Sequence, residues 1–303
     1  MIRVVPFLAL VVIGAAWGGT QPLAKIAVSD GYRHFGLIFW QTALVGAILG
    51  AVLLLRGRGL PWRGPCLRLY FVIAVIGSVL PGIAGYQAAV FLPSGVLSML
   101  LSSVPLFALP IALFLGMDRF GLARLAGLAL GFAGVGLLVL PEAGLPRGTD
   151  TFWIFVALIA SACYALEGNV VARWGTQGLD PVQVLAGASV VGMALSLPLA
   201  LVSGQFIDPR PPWGAPDAAV LASALLHAGA YTGYVWLVSR AGSVFAAQVS
   251  YLVTLFGVCW AMLFLGEAYS GWFWSALAVM MCGVALVQPR PPGLPLPRAR
   301  GRA

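Results

Sequence analysis

The chain has little charge for its size. Of its 303 residues, 9% are Asp, Glu, Lys or Arg, whereas 61% are hydrophobic. A soluble domain carries about 25% charged residues, so the shortage excludes an ordinary soluble protein. The mean hydropathy of +0.98 is that of an integral membrane protein, in which the lipid replaces water as the solvent.

The chain also lacks the residue patterns of most catalytic and metal chemistry. It has two histidines and four cysteines, and none of the cysteines forms a C-x-x-C pair. Walker A, H-E-x-x-H and G-x-S-x-G sequences are absent. We therefore expect no enzyme activity, no cofactor and no metal. Three of the cysteines lie inside apolar runs, where we interpret them as small apolar filler.

The net charge of +8 would suit nucleic acid, but the basic residues are scattered at the ends of apolar runs. Such a distribution indicates membrane orientation signals instead. The expected partners are the lipid bilayer and a small-molecule substrate, without nucleic acid. The sequence leaves the oligomeric state open and is compatible with a monomer.

What the chain has in abundance is apolar runs that are long enough to cross about 30 Å of hydrocarbon. We interpret the first run as a retained helix, because it has no small-x-small cleavage site and ends in Lys25. Ten segments are predicted, at residues 6–28, 35–55, 69–92, 94–115, 122–140, 153–173, 181–203, 217–239, 243–265 and 272–288. We expect very tight hairpins between the third and fourth and between the eighth and ninth.

The basic residues fix an orientation for these ten segments. With both termini in the cytoplasm, 13 of the 17 basic residues fall inside, which is a strong positive-inside bias. The four outside are Lys25, Arg33, Arg147 and Arg210.

Two sequence echoes predict an internal repeat. Residues Ala9, Gln21 and Lys25 are echoed by Ala157, Asn169 and Arg173 at an offset of 148, and Leu113–Gly116 is echoed by Leu263–Gly266 at an offset of 150. The echoes divide the chain into residues 1–145, 146–288 and a cytoplasmic Pro/Arg tail, 289–303. Because each half holds five helices, the second half enters the membrane from the opposite side. The predicted fold is all-α, with ten transmembrane helices in two inverted-topology five-helix repeats.

Close helix packing is indicated by glycine pairs four residues apart. They are Gly14/Gly18, Gly46/Gly50, Gly127/Gly131 and Gly229/Gly233.

These features resemble the drug/metabolite transporter superfamily, specifically its ten-helix exporters built of two EamA domains. The matching residues are Trp17-Gly18 with Lys25 in the first segment, Pro105-Leu106-Phe107 in the fourth and Leu263-Phe264-Leu265-Gly266-Glu267 at the end of the ninth. The chain departs from the family pattern at Met117, where an acidic residue is common, and at Trp40-Gln41, a region that often holds an arginine. The resemblance implies export of amino acids, other metabolites or drugs through the bacterial inner membrane by a secondary transporter.

The most informative single residue is Glu167, a carboxylate inside the sixth segment. A charge at the centre of a membrane helix costs about 2.5–3.5 kcal/mol on insertion scales. Tyr164 lies three residues earlier on the same face. The functional interpretation is a proton-binding group or a partner for a substrate amine; the alternative is a structural carboxylate that is protonated or paired.

A second stripe follows the eighth segment, where His227, Tyr231 and Tyr234 share a face. It predicts either a cavity wall whose histidine could carry protons or a neutral histidine that is hydrogen-bonded in the core.

Other polar residues complete the predicted site. Gln21 and Lys25 share one face of the first segment with two glycines, a face that lipid would penalise. The full set of cavity candidates is Trp17, Gln21, Gln41, Tyr86, Gln87, Tyr164, Glu167, His227, Tyr231, Tyr234, Gln248 and Tyr251. Lys25 and Arg173, at matching helix ends, are candidate gates or anchors, with snorkelling to the headgroups as the simpler alternative.

Three classes of function remain at this stage. A secondary transporter, either proton-coupled through Glu167 or His227 or a facilitated exchanger, agrees best with the repeat and the buried carboxylate. An intramembrane enzyme would need a ligand set that two histidines do not supply. A scaffold or receptor would leave the buried charge and the repeat unexplained.

Overall fold

The computed structural model describes residues 4–118, 121–139 and 150–287, and within these ranges the regular structure is helical. The predicted domain boundary at 145/146 and the tail at 289–303 lie outside the described residues. The helices are α1 Val4–Ser29, α2 His34–Leu55, α3 Gly64–Ala74, α4 Leu80–Phe91, α5 Ser94–Leu101, α6 Val104–Phe114, α7 Leu122–Val139, α8 Phe152–Trp174, α9 Pro181–Val202, α10 Ala215–Ala241, α11 Ser243–Ala246, α12 Val249–Leu265 and α13 Gly271–Val287. A π-helical turn, Val75–Val79, joins α3 to α4.

These helices form the ten predicted spans. Eight are long and apolar enough to cross a membrane, and α12 and α13 are shorter apolar helices. The third and eighth spans begin earlier than the apolar runs suggested, at Gly64 and Ala215, because Pro65 and Pro216 sit in their first turns. Proline is favoured there, since the first amides of a helix have no intrahelical partner.

The fourth span, which the sequence presents as one continuous run, is broken between α5 and α6. The hydroxyl groups of Ser102 and Ser103 donate to the carbonyls of Met99 and Leu100, at 2.7 and 2.6 Å. Pro105 follows and has no N–H to continue the α-helical pattern. The predicted fourth span is confirmed as one apolar stretch, Ser94–Phe114. The break lies within it, because a hydropathy window averages two serines and a proline with their apolar neighbours.

The ninth span is also interrupted, between α11 and α12. Gln248 and Ser250 donate backbone N–H bonds three residues back, at 3.1 and 3.2 Å, which marks a tight turn. The 150-residue offset would place an equivalent break at residues 252–253, so the two breaks are not related by the repeat.

The first helices of the two halves run in opposite directions. Lys25, near the end of α1, donates to the carbonyl of Ala89 at 2.8 Å. Two residues along, Phe91 stacks on Trp153 at the start of α8, with the ring centroids 4.1 Å apart. The end of α1 and the beginning of α8 therefore lie at the same end of the bundle, which is the inverted topology. We call it the α1–α2 end, since it holds residues 30–33.

The opposite end, which holds residues 56–63, is called the α2–α3 end. Arg58 forms an ion pair of 2.7 Å with Asp180 there. Arg173, at the end of α8, also lies at this end and donates to the carbonyl of Leu115 at 3.1 Å.

Buried apolar side chains seal the α1–α2 end in a single cluster. This cluster joins α1, α2, α4, α5, α7, α8, α10, α12 and α13 and includes Ala27, Leu37, Leu92, Val96, Ile154, Ala219 and Phe273. Toward the α2–α3 end, the described residues form four separate clusters, on α2/α9/α10, on α3/α9, on α1/α10/α12 and on α6/α13. The buried apolar core is therefore continuous at the α1–α2 end and divided toward the α2–α3 end.

Glycines let pairs of helices approach closely. A Cβ added to Gly18 would lie 2.8 Å from the backbone nitrogen of Gly257 on α12, and one added to Gly283 would overlap the backbone of Gly131 on α7. The pairs Gly14/Gly18 and Gly127/Gly131 thus lie at tight contacts, whereas Gly50 and Gly229 face open space.

We predict that Gly283→Ala destabilises the α7–α13 contact, because the new methyl group meets backbone that cannot rotate away. Overpacking of this kind costs about 1–3 kcal/mol, which should lower the melting temperature of the detergent-solubilised protein by several degrees. The control is Gly136→Ala on α7, where an added Cβ meets nothing within 4 Å. Equal melting temperatures for the two variants would contradict the packing described.

Candidate functional site

A cavity of about 160 Å³ lies in the middle of the bundle. Leu97 and Ala157 form part of both its wall and the cluster that seals the α1–α2 end, so the cavity begins directly beneath that seal. The space is large enough for several waters or for one small solute.

Two groups of helices face each other across this space. Helix α8 packs mainly against α4, α6 and α5, whereas α10 packs mainly against α1 and α2. Side chains from both groups line the cavity, including Tyr164 of α8 and His227 of α10. A movement of one group relative to the other would therefore change the cavity directly.

Five of the residues singled out from the sequence line the cavity, namely Gln21, Gln41, Tyr86, Tyr164 and His227. The side chains of the first four have no hydrogen-bond partner in the part of the chain that the structure describes. Amide and phenol groups normally find partners inside a protein, so these four are available to a polar solute or to water.

His227 is held by a tryptophan. The indole N–H of Trp17 donates to Nδ1 of His227 at 3.3 Å, so Nδ1 carries no proton in this arrangement. The neutral imidazole then has its proton on Nε2, which is a donor. Trp17 also contacts Tyr234, with ring centroids 5.6 Å apart. Trp17 thus orients the histidine and packs on Tyr234, and neither Trp17 nor Tyr234 lines the cavity.

Glu167 lies at the edge of the cavity against the π-helical turn. A Cβ on Gly77, which lines the cavity, would lie 2.5 Å from the carboxyl carbon of Glu167. The missing side chain of Gly77 therefore provides the space for the carboxyl group. Among the described residues, Glu167 has no hydrogen bond and no ion pair, and it interacts electrostatically with Tyr164 and Tyr231.

The remaining candidates lie elsewhere. Tyr251 packs against the α6/α13 cluster, Gln248 is the N-cap residue of α12, and Gln87 is half-buried on α4 away from the cavity wall.

The two candidate gates or anchors both bind backbone carbonyls. Lys25 donates to the carbonyls of Ala89, Val90 and Leu92 at 2.8–3.1 Å, where α4 ends. Arg173 donates to Leu115 after the end of α6. Each cation satisfies carbonyls that have no intrahelical partner, at the negative end of a helix dipole.

Several cavity residues escaped the sequence analysis. They are Thr20, Thr42, Ser78, Ser189 and Ser223, together with the small residues Gly77, Pro81, Gly82 and Gly85. The concentration of glycine and proline at residues 77–85 was the available signal, since small side chains leave volume inside a span. The hydroxyl of Thr42 bonds the carbonyl of Ile38 at 2.7 Å, so it serves its own helix.

None of the described residues that line the cavity has a charged side chain. Glu167 lies at its edge. In the described ranges, no three His, Cys, Asp or Glu side chains come together as a metal site. The chemistry offered is therefore hydrogen bonding by amides, hydroxyls and phenols next to apolar surface, with one carboxylate beside it.

Ten spans in two inverted halves, with a polar cavity between them, define a membrane transporter of the inverted-repeat type. The profile of the EamA-like transporter family matches residues 5–140 and again 151–288, and the chain belongs to this family.

Curated relatives agree with this membership. The chain is 26% identical over 287 residues to the uncharacterized inner membrane transporter YedA of Escherichia coli (strain K12), covering 93% of this chain and 90% of that protein. It is 26% identical over 292 residues to a probable terminal-alkyne amino-acid exporter of Streptantibioticus cattleyicolor, covering 93% of both proteins. The chain is thus a multi-pass inner-membrane protein of the EamA transporter type.

A solved crystal structure has the same fold. It superposes with a TM-score of 0.64 at 20% sequence identity and covers 94% of this chain and 96% of its own.

We predict that Gly85→Leu fills the cavity without disturbing the fold. Gly85 lines the cavity, and an added Cβ there meets nothing within 4 Å. The melting temperature should stay within error or rise, since leucine favours a helix over glycine by about 1 kcal/mol. Transport in proteoliposomes should fall at least about tenfold because the solute loses its space. The control, Gly136→Leu on α7, should retain transport; equal activity of both variants would place the solute elsewhere.

Proposed function

We propose that the chain is a secondary-active exporter of small metabolites, namely amino acids or related amphipathic solutes, which works by alternating access. The cavity between α8 on one side and α1 and α10 on the other is the observation that carries this proposal. Those of its polar side chains that have no hydrogen-bond partner among the described residues lie in the middle of the bundle. Polar groups at that depth are unfavourable against lipid, so a water-filled or solute-filled cavity accounts for them.

The size and lining of the cavity support a small amphipathic solute. Gln21 and Gln41 offer both donors and acceptors, Tyr86 and Tyr164 add aromatic faces, and the space of about 160 Å³ suits a small solute. The name of the relative from Streptantibioticus, an amino-acid exporter, points to the same class of solute.

The orientation follows from the positive-inside bias, which places both termini in the cytoplasm. In that orientation the sealed α1–α2 end faces outward, and the divided α2–α3 end faces the cytoplasm. An exporter loads from the cytoplasm, so this form would be the one that receives the solute.

Glu167 is the proposed coupling group. It has no counter-charge among the described residues, so it can exchange a proton without breaking an ion pair. His227, by contrast, is held by Trp17 through Nδ1, and we assign it to solute binding through its Nε2–H.

The test is transport by the purified protein in proteoliposomes, measured with a panel of labelled amino acids and amines. Glu167→Gln should abolish the stimulation of transport by a pH gradient, because glutamine carries no titratable proton. Counterflow without a gradient should persist, since the cavity stays intact.

Asp150→Asn is the matched control. Asp150 lies just before the same helix and accepts the backbone N–H of Phe152 at 2.9 Å, a bond that asparagine can keep. This variant should respond to the gradient as the wild type does. A Glu167→Gln protein with unchanged proton dependence would remove Glu167 from coupling, and wild-type transport without any proton dependence would favour facilitated exchange.

A further inference from the structure

The hairpin between α4 and α5 is held at both of its helix ends by charged side chains from elsewhere. Only Leu92 and Pro93 separate the two helices. Such a short connection leaves the carbonyls at the end of α4 and the amides at the start of α5 side by side, and neither set has partners within its own helix.

Lys25 satisfies the carbonyls. Its ammonium group donates to Ala89, Val90 and Leu92 at 2.8, 3.1 and 3.1 Å, which uses all three of its protons. A cation at the carboxyl end of a helix also complements the helix dipole. Lys25 thereby joins α1 to the hairpin.

Glu267 satisfies the amides. Its two carboxylate oxygens accept the N–H groups of Ser94 at 2.7 Å and Gly95 at 3.1 Å, and they also accept the hydroxyl of Tyr269. The phenol oxygen of Tyr269 accepts the N–H of Gly95 at 2.9 Å. An anion at a helix N-terminus is favoured by the dipole, so Glu267 and Tyr269 join the hairpin to the segment that follows α12.

The two caps bridge the halves of the repeat. Lys25 belongs to the first half and Glu267 to the second, and the two charges attract each other. Between them lies the α4–α5 hairpin, whose Leu92 and Val96 are core members of the cluster that seals the α1–α2 end.

Within the described residues, the other half of the repeat does not show this arrangement. The 150-residue offset that relates Leu113–Gly116 to Leu263–Gly266 places Met117 at the counterpart of Glu267. Asp118, the next residue, pairs with Arg124 at 2.6 Å. Arg173, the counterpart of Lys25, donates to Leu115 and not to the end of α10. The equivalent hairpin, at Gly242, therefore has no carboxylate cap from that position, and it lies at the divided end.

We propose that Lys25 and Glu267 act together as a latch, which clasps the α4–α5 hairpin between the two halves and holds the α1–α2 end closed. The proposal rests on the alternating-access function above. It adds the contacts that favour the conformation in which the α1–α2 end is closed. Both are positioning residues, because they contact the hairpin and do not bind the solute.

The experiment measures access to the cavity from each side. The four native cysteines are replaced by alanine, and Ser78→Cys, on the cavity wall, serves as the reporter. A membrane-impermeant charged thiol reagent is added to right-side-out or inverted membrane vesicles, and the labelling rate is measured. With the latch intact, labelling should be faster from the side of the α2–α3 end.

Lys25→Met and Glu267→Gln should each raise labelling from the side of the α1–α2 end by about tenfold, the change expected when a hydrogen bond to a charged group is lost. Tyr269→Phe, which keeps both charges and loses one donor, should give a smaller rise and serves if either charge variant fails to fold. Unchanged labelling from that side in all three variants would overturn the latch.

Two further arms separate a helix-capping latch from simpler explanations. Asp30→Asn and Arg33→Gln change charge at the same end without touching the hairpin, and they should leave labelling unchanged; an equal rise in these controls would reduce the effect to general surface charge. The swap Lys25→Glu with Glu267→Lys should be at least as open as either single variant, because each charge then faces the wrong helix end. Restoration of closure by the swap would show a plain ion pair and contradict the proposal.

The labelling needs no substrate, so its result is independent of the transport assay. If the labelling shifts as described but the protein transports none of the solutes tested, the latch is supported and the proposed function is contradicted. If the wild type transports a solute but labelling is unaltered in the variants, the proposed function is supported and the latch is contradicted.

Discussion

The structure depends on hydrogen bonds that replace water for the backbone polar groups at the helix ends. Inside a bilayer every backbone N–H and C=O requires a partner from the protein, and the charged side chains of the spans serve that need: Lys25, Arg173 and Glu267 each bind the open end of a helix. Arg124 does the same at the last carbonyl of α13, at 3.2 Å. Because these groups are occupied, the polar side chains without a hydrogen-bond partner among the described residues stand out, and Gln21, Gln41, Tyr86 and Tyr164 on the cavity wall are among them.

Small residues make both the tight and the open parts of the bundle. At Gly18 and Gly283 the absence of a side chain lets another helix approach to contact distance, whereas at Gly85 the same absence leaves space. Gly77 combines the two effects, since its missing side chain opens the π-helical turn to the carboxyl group of Glu167. The tight glycine contacts make groups of helices rigid, and the cavity lies beside them. The proposed alternating access requires rigid groups of helices that move relative to each other.

The two halves share a frame and differ in chemistry. Glu167 has a glycine, Gly19, at its counterpart in the first half, and Glu267 has Met117. Among the described residues, the first difference leaves one carboxylate beside the cavity, and the second leaves the α4–α5 hairpin with a carboxylate cap that its counterpart does not have at the matching position. In the proposed latch, these differences favour closure of the α1–α2 end over closure of the other end.

The sequence by itself determined the ten spans, the inverted halves and the family, because span length, positive charge and repeat offset are properties of the chain read in order. It also pointed to Gln21, Gln41, Tyr164 and His227, because polar side chains inside apolar runs are unfavourable against lipid and therefore face protein or a cavity. Only the tertiary structure decided that Tyr251 packs in the core, that Trp17 holds His227 and that Glu267 caps α5. The last two contacts join residues 210 and 173 positions apart, and no local pattern records which distant group a side chain will bind.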